Sequence, residues 1–142
     1  LTSKKLVNPS SAIVKEMGLA PKERVYLFQG IRYLRKGEKA NFQAYVPENI
    51  GRDIPLKDEV HPLLIERIEG KILELVKKGR QITTVAVADK KLAQTMEVKE
   101  GYPLLVVKRI YYSKSGQVVE LAVTHFPGTL HQGVVELVRA GS

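Results

Sequence analysis

Cysteine is absent from this 142-residue chain, and so is tryptophan. Without cysteine there is no disulfide framework, no thiolate metal site and no thiol nucleophile. The three histidines, His61, His125 and His131, fall at no ligand-like spacing, so no metal is expected. No apolar run approaches the ~20 residues of a membrane helix, and no signal peptide is visible, so no membrane partner is expected. A GxSxG elbow, a Walker-type loop and a GxGxxG turn are all missing. A pair of acids for sugar chemistry stays open, since it depends on how Glu and Asp are spaced in three dimensions. No other catalytic group and no cofactor is predicted, so an enzyme is the minority reading.

Acidic residues are also scarce. Fifteen Asp and Glu stand against 23 Lys and Arg, a net charge of +8. That excess suggests a basic nucleic-acid-binding module. Its distribution argues for solvated surface lysines instead. Lys4-Lys5, Lys77-Lys78-Arg80 and Lys90-Lys91 are short and scattered. Aromatics are only 6% of the chain and do not interleave with the basic residues as a stacking platform requires.

What is present is a run of strand signals. Val98 to Pro127 holds two apolar, β-branched segments, 104–112 and 118–126, around Ser113-Lys114-Ser115-Gly116-Gln117. This predicts a β-hairpin turning at Ser115-Gly116, with Lys114 opposite Gln117. Alternation then sorts the side chains. One face carries Tyr112, Ile110 and Val106 with Val119, Leu121 and Val123, and reads as core apart from Lys108. The other is mixed: Tyr111, Arg109, Val107 and Leu105 opposite Glu120, Ala122, Thr124 and Phe126. That face is either half solvated or a binding surface.

A second hairpin is predicted from Val25–Leu34 and Ala40–Val46, with Pro47 as its stop. Arg32 shares a face with Tyr26 and Phe28. It reads as a two-pronged anion donor or as half of a structural ion pair. On the return strand Asn41, Gln43 and Tyr45 share a face, and Phe42, Ala44 and Val46 share the other. Helices are expected over 11–17, capped by Ser10 or Ser11 and ended by Gly18, and over 61–78, ended by Gly79. A short helix follows an Asp89 cap and runs to Met96. A loop is expected over 48–60, a lone strand over 82–88 and a final edge strand over 134–138. The fold class is α+β: an antiparallel sheet flanked by helices, packed on one side.

Pro103-Leu104-Leu105, Arg109, Tyr112, Gly116 and Val119-Glu120 form a run that resembles the ligand-binding (UTRA) domain of GntR-type, HutC-like bacterial transcription regulators. Ala12 to Leu19, Ile31-Arg32-Tyr33, Gly37-Glu38, Tyr45-Val46-Pro47 and Leu92 to Gly101 are similar to further segments of that family, in the same order. The resemblance spans nearly all of 1–142 as one domain. It implies a chorismate-lyase-like fold, a small-molecule effector, a homodimer, a cytoplasmic bacterial setting and operator DNA bound through an N-terminal winged helix-turn-helix outside this chain. It also implies that the first few residues of the domain are missing.

Residue by residue, the resemblance matches Arg32, Glu120 and Phe126 to family ligand contacts and places His61 where relatives put a ligand-facing Ser or Thr. Gln43, Tyr45 and Arg109 complete the expected ligand-binding set. Arg32 would hold a carboxylate and Glu120 an amine or hydroxyl. Phe126 would supply an apolar wall, and Gln43 or Tyr45 a further hydrogen bond. Gly30 stands where the family has an arginine, and Phe126 to Leu130 lacks the family's two arginines and its acid, which takes away expected phosphate contacts. The fold itself also permits a chorismate-lyase-like enzyme, the alternative to a regulator.

Overall fold

The computed structural model describes residues 2–56, 63–129 and 132–139. Among these, the elements in chain order are β1 (Ser3–Val7), α1 (Ser11–Met17), β2 (Val25–Tyr33), β3 (Lys39–Pro47), α2 (Glu48–Gly51), α3 (Leu63–Ile72), β4 (Lys78–Val87), α4 (Lys90–Met96), β5 (Pro103–Tyr112) and β6 (Val118–Pro127). The strands make one antiparallel sheet in the order β1-β2-β3-β6-β5-β4. The two predicted hairpins, β2–β3 and β5–β6, meet at its centre, where β3 pairs β6.

The register of the β5–β6 hairpin agrees with the alternation over most of its length. Leu105 faces Phe126, Arg109 faces Ala122 and Tyr111 faces Glu120. The turn differs. Ser113 N–H donates to Gln117 O (2.9 Å) and Gly116 N–H to Ser113 O (3.0 Å), with Gly116 at φ 91°. The loop is thus three residues, Lys114 to Gly116, and closes through a positive-φ glycine. A bulge between Tyr111 and Tyr112 absorbs the slip, so that Tyr112 faces Val118. The bulge moves Val119 to the opposite core from the one expected. It packs with Phe28, Phe42, Ile68 and Ala122, while Val118 joins Ile110 and Leu121.

Helices cover both sheet faces, not one. On the first face, α2 and α3 lay Ile50, Leu64 and Ile68 over Phe28, Phe42, Ala44 and Val46. Leu64 and Ile68 are one helical turn apart and both sealed, which is the amphipathic stripe that orders α3. On the second face, α1 packs Met17 on Val25, Ile110 and Leu121. Lys108, the misfit of that face, donates to both oxygens of Glu16 on α1 at 2.7 and 2.9 Å. Ala93 and Met96 of α4 close a smaller cluster with Ala88 and Leu104.

The caps on α1 and α4 are as the sequence implies. Ser10 Oγ accepts from Ile13 N–H, Gly18 adopts φ 64°, and Asp89 Oδ1 accepts from Leu92 N–H at 2.8 Å. Five expectations need correction. The helix expected to Lys78 ends at Ile72, because Leu73 takes φ 60°. Gly79 lies in β4 opposite Tyr111. A Cβ there would stand 3.1 Å from the tyrosine ring, so this glycine serves close approach, not a helix stop. Glu48–Gly51 is a helical turn rather than loop. The segment 132–139 belongs to no strand and is exposed, whereas β1 supplies an edge strand that the sequence reading left out. The lone strand is also longer than expected and starts at Lys78.

Candidate functional site

The mixed face of the sheet carries a cavity of about 670 Å³. Its floor comes from five strands. Arg32 and Phe42 come from β2 and β3, Thr124 and Phe126 from β6, Arg109 from β5, and Gln81 and Thr83 from β4. The segment from Gln132 to Val135 forms one side. Strand alternation puts these side chains together. Arg109 sits opposite both Ala122 and Gln81, and Phe42 opposite Thr124.

Arg109 Nε donates to Gln81 Oε1 at 3.0 Å, which orients the guanidinium. Arg32 makes no ion pair or side-chain hydrogen bond among the described residues, so it is not half of a structural pair with Glu120. Phe42 and Phe126 are 2% and 7% exposed and supply aromatic walls. Among the described residues no carboxylate lines the cavity. The site is therefore cationic on an apolar base, suited to an anionic group whose body packs on rings.

Glu120 lies under this face but not in the cavity. It is completely buried, in the strand row between Val119 and Ala122 of the α3 core. Neither carboxyl oxygen has a hydrogen-bond partner among the described residues. Burial pushes its pKa up to about 8, opposed in part by the positive charge of Arg109. At neutral pH it is a carboxylic acid, not a carboxylate. An ionised, unpaired carboxylate in that place would lose its hydration with nothing in return.

The expected residues thus separate. Arg32, Arg109 and Phe126 come together at one cavity. Glu120 is sealed beneath the face, so it does not meet a ligand in that cavity as expected. Gln43 and Tyr45 fall on the opposite side of the sheet: Gln43 borders a different cavity, and Tyr45 packs with Met17, Val25 and Leu121. They cannot complete a site with Arg32, because neighbours on a strand point to opposite faces. Burial raises the Tyr45 pKa. His61 lies outside the described residues. Gln81, Thr83 and Phe42 escaped the site reading. The strand expected over 82–88 contains Thr83, but only the pairing of β4 with β5 shows that it borders the same cavity as Arg109. Among the described residues no cluster of His, Asp and Glu could hold a metal. No helix there is long and apolar enough to cross a membrane.

An open six-stranded antiparallel sheet, helices on both faces and a cationic cavity against its centre define a chorismate-lyase-like α+β domain. The chain belongs to the UTRA domain family, whose model matches residues 1–132. Solved structures share the fold. A transcriptional regulator of the GntR family from Enterococcus faecalis V583 is 20% identical with a TM-score of 0.83, covering 96% of this chain and 97% of that one. The effector-binding domain of the trehalose repressor TreR from Bacillus subtilis is 15% identical with a TM-score of 0.77, covering 99% and 96%. The C-terminal domain of Yurk from Bacillus subtilis is 13% identical with a TM-score of 0.79, covering 89% and 87%.

Proposed function

We propose that this chain is the effector-sensing domain of a bacterial GntR-type, HutC-like transcription regulator and performs no catalysis. The observation that carries the reading is the pair of guanidiniums, Arg32 and Arg109, on one cavity walled by Phe42 and Phe126. The effector is a small polar metabolite whose carboxylate, or other anionic group, lies between the arginines. Thr124 and Thr83 offer hydroxyls to its remaining polar atoms. Glu120 is a buried acid behind the binding face, not the amine acceptor that the sequence suggested. Membership of the UTRA family supports a sensor, with operator DNA bound through another domain, a homodimeric assembly to match a two-fold operator, and a cytoplasmic location.

A melting screen of carboxylate-bearing metabolites tests this, since a ligand that binds only the native state raises the melting temperature. For a hit, Arg32→Ala and Arg109→Ala should each weaken binding by roughly 1.5–3 kcal/mol, about tenfold to a hundredfold. Full affinity in both variants would remove the cavity from the proposal.

A further inference from the structure

The opposite face of the sheet holds a second cavity, about 550 Å³, that the proposed sensor site does not use. It opens between β1, the middle of the sheet and α4. Its sheet wall is a row of polar groups on neighbouring strands. Asn41 and Gln43 on β3 share a face, and His125 on β6 pairs directly with Asn41. Lys5 on β1 and Lys91 on α4 stand at its rim.

This is a costly place to keep amides. Asn41 is only 8% exposed, yet its side chain has no hydrogen bond among the described residues. Gln43 has none either. The His125 Nδ1 is sealed from solvent with no partner among the described residues. Burial pushes the imidazole pKa down, and the Asp89 carboxylate only partly opposes this, so the ring is neutral at pH 7. A buried N–H without an acceptor costs more than a bare lone pair, which puts the ring proton on Nε2, the nitrogen left to the cavity.

The donor count then decides the ligand. Two ammonium groups, the imidazole Nε2–H and two amide NH₂ groups face one space. Asp89, the one carboxylate on the wall among the described residues, already has Oδ1 engaged by Leu92 N–H. An excess of donors selects an acceptor-rich molecule. We infer that this cavity is a second, separate binding site for a small hydroxylated anion, a sugar acid or a phosphate ester. Its charge lies between Lys5 and Lys91, and its hydroxyls or oxygens take the bonds that Asn41, Gln43 and His125 leave open. A domain with anion sites on both sheet faces can respond to two metabolites. Those sites share β3 and β6, whose alternate residues line one cavity and then the other.

The probes are inorganic phosphate and gluconate, titrated separately into the 142-residue chain at ionic strength held constant with sodium chloride. The readout is NMR of the Asn41 and Gln43 side-chain amides and of the His125 ring. Expected is a saturable shift of all three with at least one probe, and the stronger arm tells phosphate from carboxylate recognition. Lys5→Ala with Lys91→Ala, both exposed, should leave the fold intact and weaken that binding at least tenfold. Arg109→Ala, on the other face, should leave it unchanged. No saturable shift with either probe overturns the inference. So does a lysine double variant that binds as well as the parent, or loss of binding in Arg109→Ala.

Discussion

At the scale of single residues, Glu120 makes the stability of the fold depend on pH. A carboxyl with a folded pKa near 8, against 4.5 in the unfolded chain, keeps its proton in the native state while the unfolded state gives it up. The unfolded state therefore binds fewer protons across that interval, and stability falls as pH rises. The penalty is absent below about pH 4.5, grows up to about pH 8 and is constant beyond. Its slope is about 1.4 kcal/mol per pH unit. Glu120→Gln cannot ionise and keeps the shape. The difference in unfolding free energy between variant and parent should therefore grow in the variant's favour from pH 5 to 8. His125 titrates in both proteins and cancels from that difference. A difference flat with pH, measured by urea unfolding, would show that Glu120 is ionised in the folded chain.

The same scale explains which site residues were legible. Arg32 and Arg109 stand out as guanidiniums in apolar strands, and each reaches the cavity. Glu120 stood out for the same reason and went elsewhere. Alternation tells which face a side chain joins, but not whether a helix lies over it. Here α3 covers the end of the face that holds Glu120 and leaves the end that holds Arg109 uncovered.

At the scale of elements, α3 is held by few residues. Ile68 is fully buried among Phe28, Phe42 and Leu64. Ile68→Ala should cost roughly 2–5 kcal/mol by deleted packing and an unfilled space. Chemical unfolding should show a lower midpoint with an unchanged slope. The exit of α1 is a second test. Gly18 holds φ 64° with nothing near its absent Cβ. Gly18→Ala should thus lose about 1 kcal/mol through backbone conformation alone, with no steric clash. A neutral result would mean that the α1 exit relaxes out of the left-handed region.

Caps and turn residues made α1 and α4 readable to within a residue, since Ser10, Asp89 and Gly18 act locally. The end of α3 was not readable. Apolar residues continue past Ile72 through Leu73 and Leu75, both of which end up exposed. Periodicity alone extends the helix across them, and only the left-handed turn at Leu73 stops it.

At the scale of the whole molecule, the charge is +8, carried by short basic runs scattered along the chain. We expect no specific operator affinity from this domain alone. Any binding should weaken steeply and evenly with salt, as contacts limited to phosphates do. Fluorescence anisotropy on operator and scrambled duplexes, across a salt series, reads this directly, and a sequence preference at physiological salt would refute it. The outer strand β4 is exposed along nearly its whole length, with Val85 and Val87 bare. An unpaired apolar edge of this kind is an assembly hazard unless it is covered. We expect light scattering to give a dimer mass, and Val85→Lys to shift it toward monomer. A monomer at high concentration in the parent would refute the first expectation.

The sequence by itself determined the two hairpins, the register of β5 on β6 as far as Tyr111, two of the helices with their caps, and the α+β class. These rest on interactions between residues close in the chain: alternation, caps and tight turns. Tertiary structure decided the rest. That β3 and β6 meet at the centre follows from no local signal. Neither does the presence of a cavity on each side of the sheet, although alternation within the β2–β3 hairpin already sets Gln43 and Arg32 on opposite faces. Nor does the bulge that sends Val119 under α3. Each depends on which distant strands pair and which helix seals which face. Those choices are settled by burying the most apolar surface at once, a property of the whole chain and of no single stretch of it.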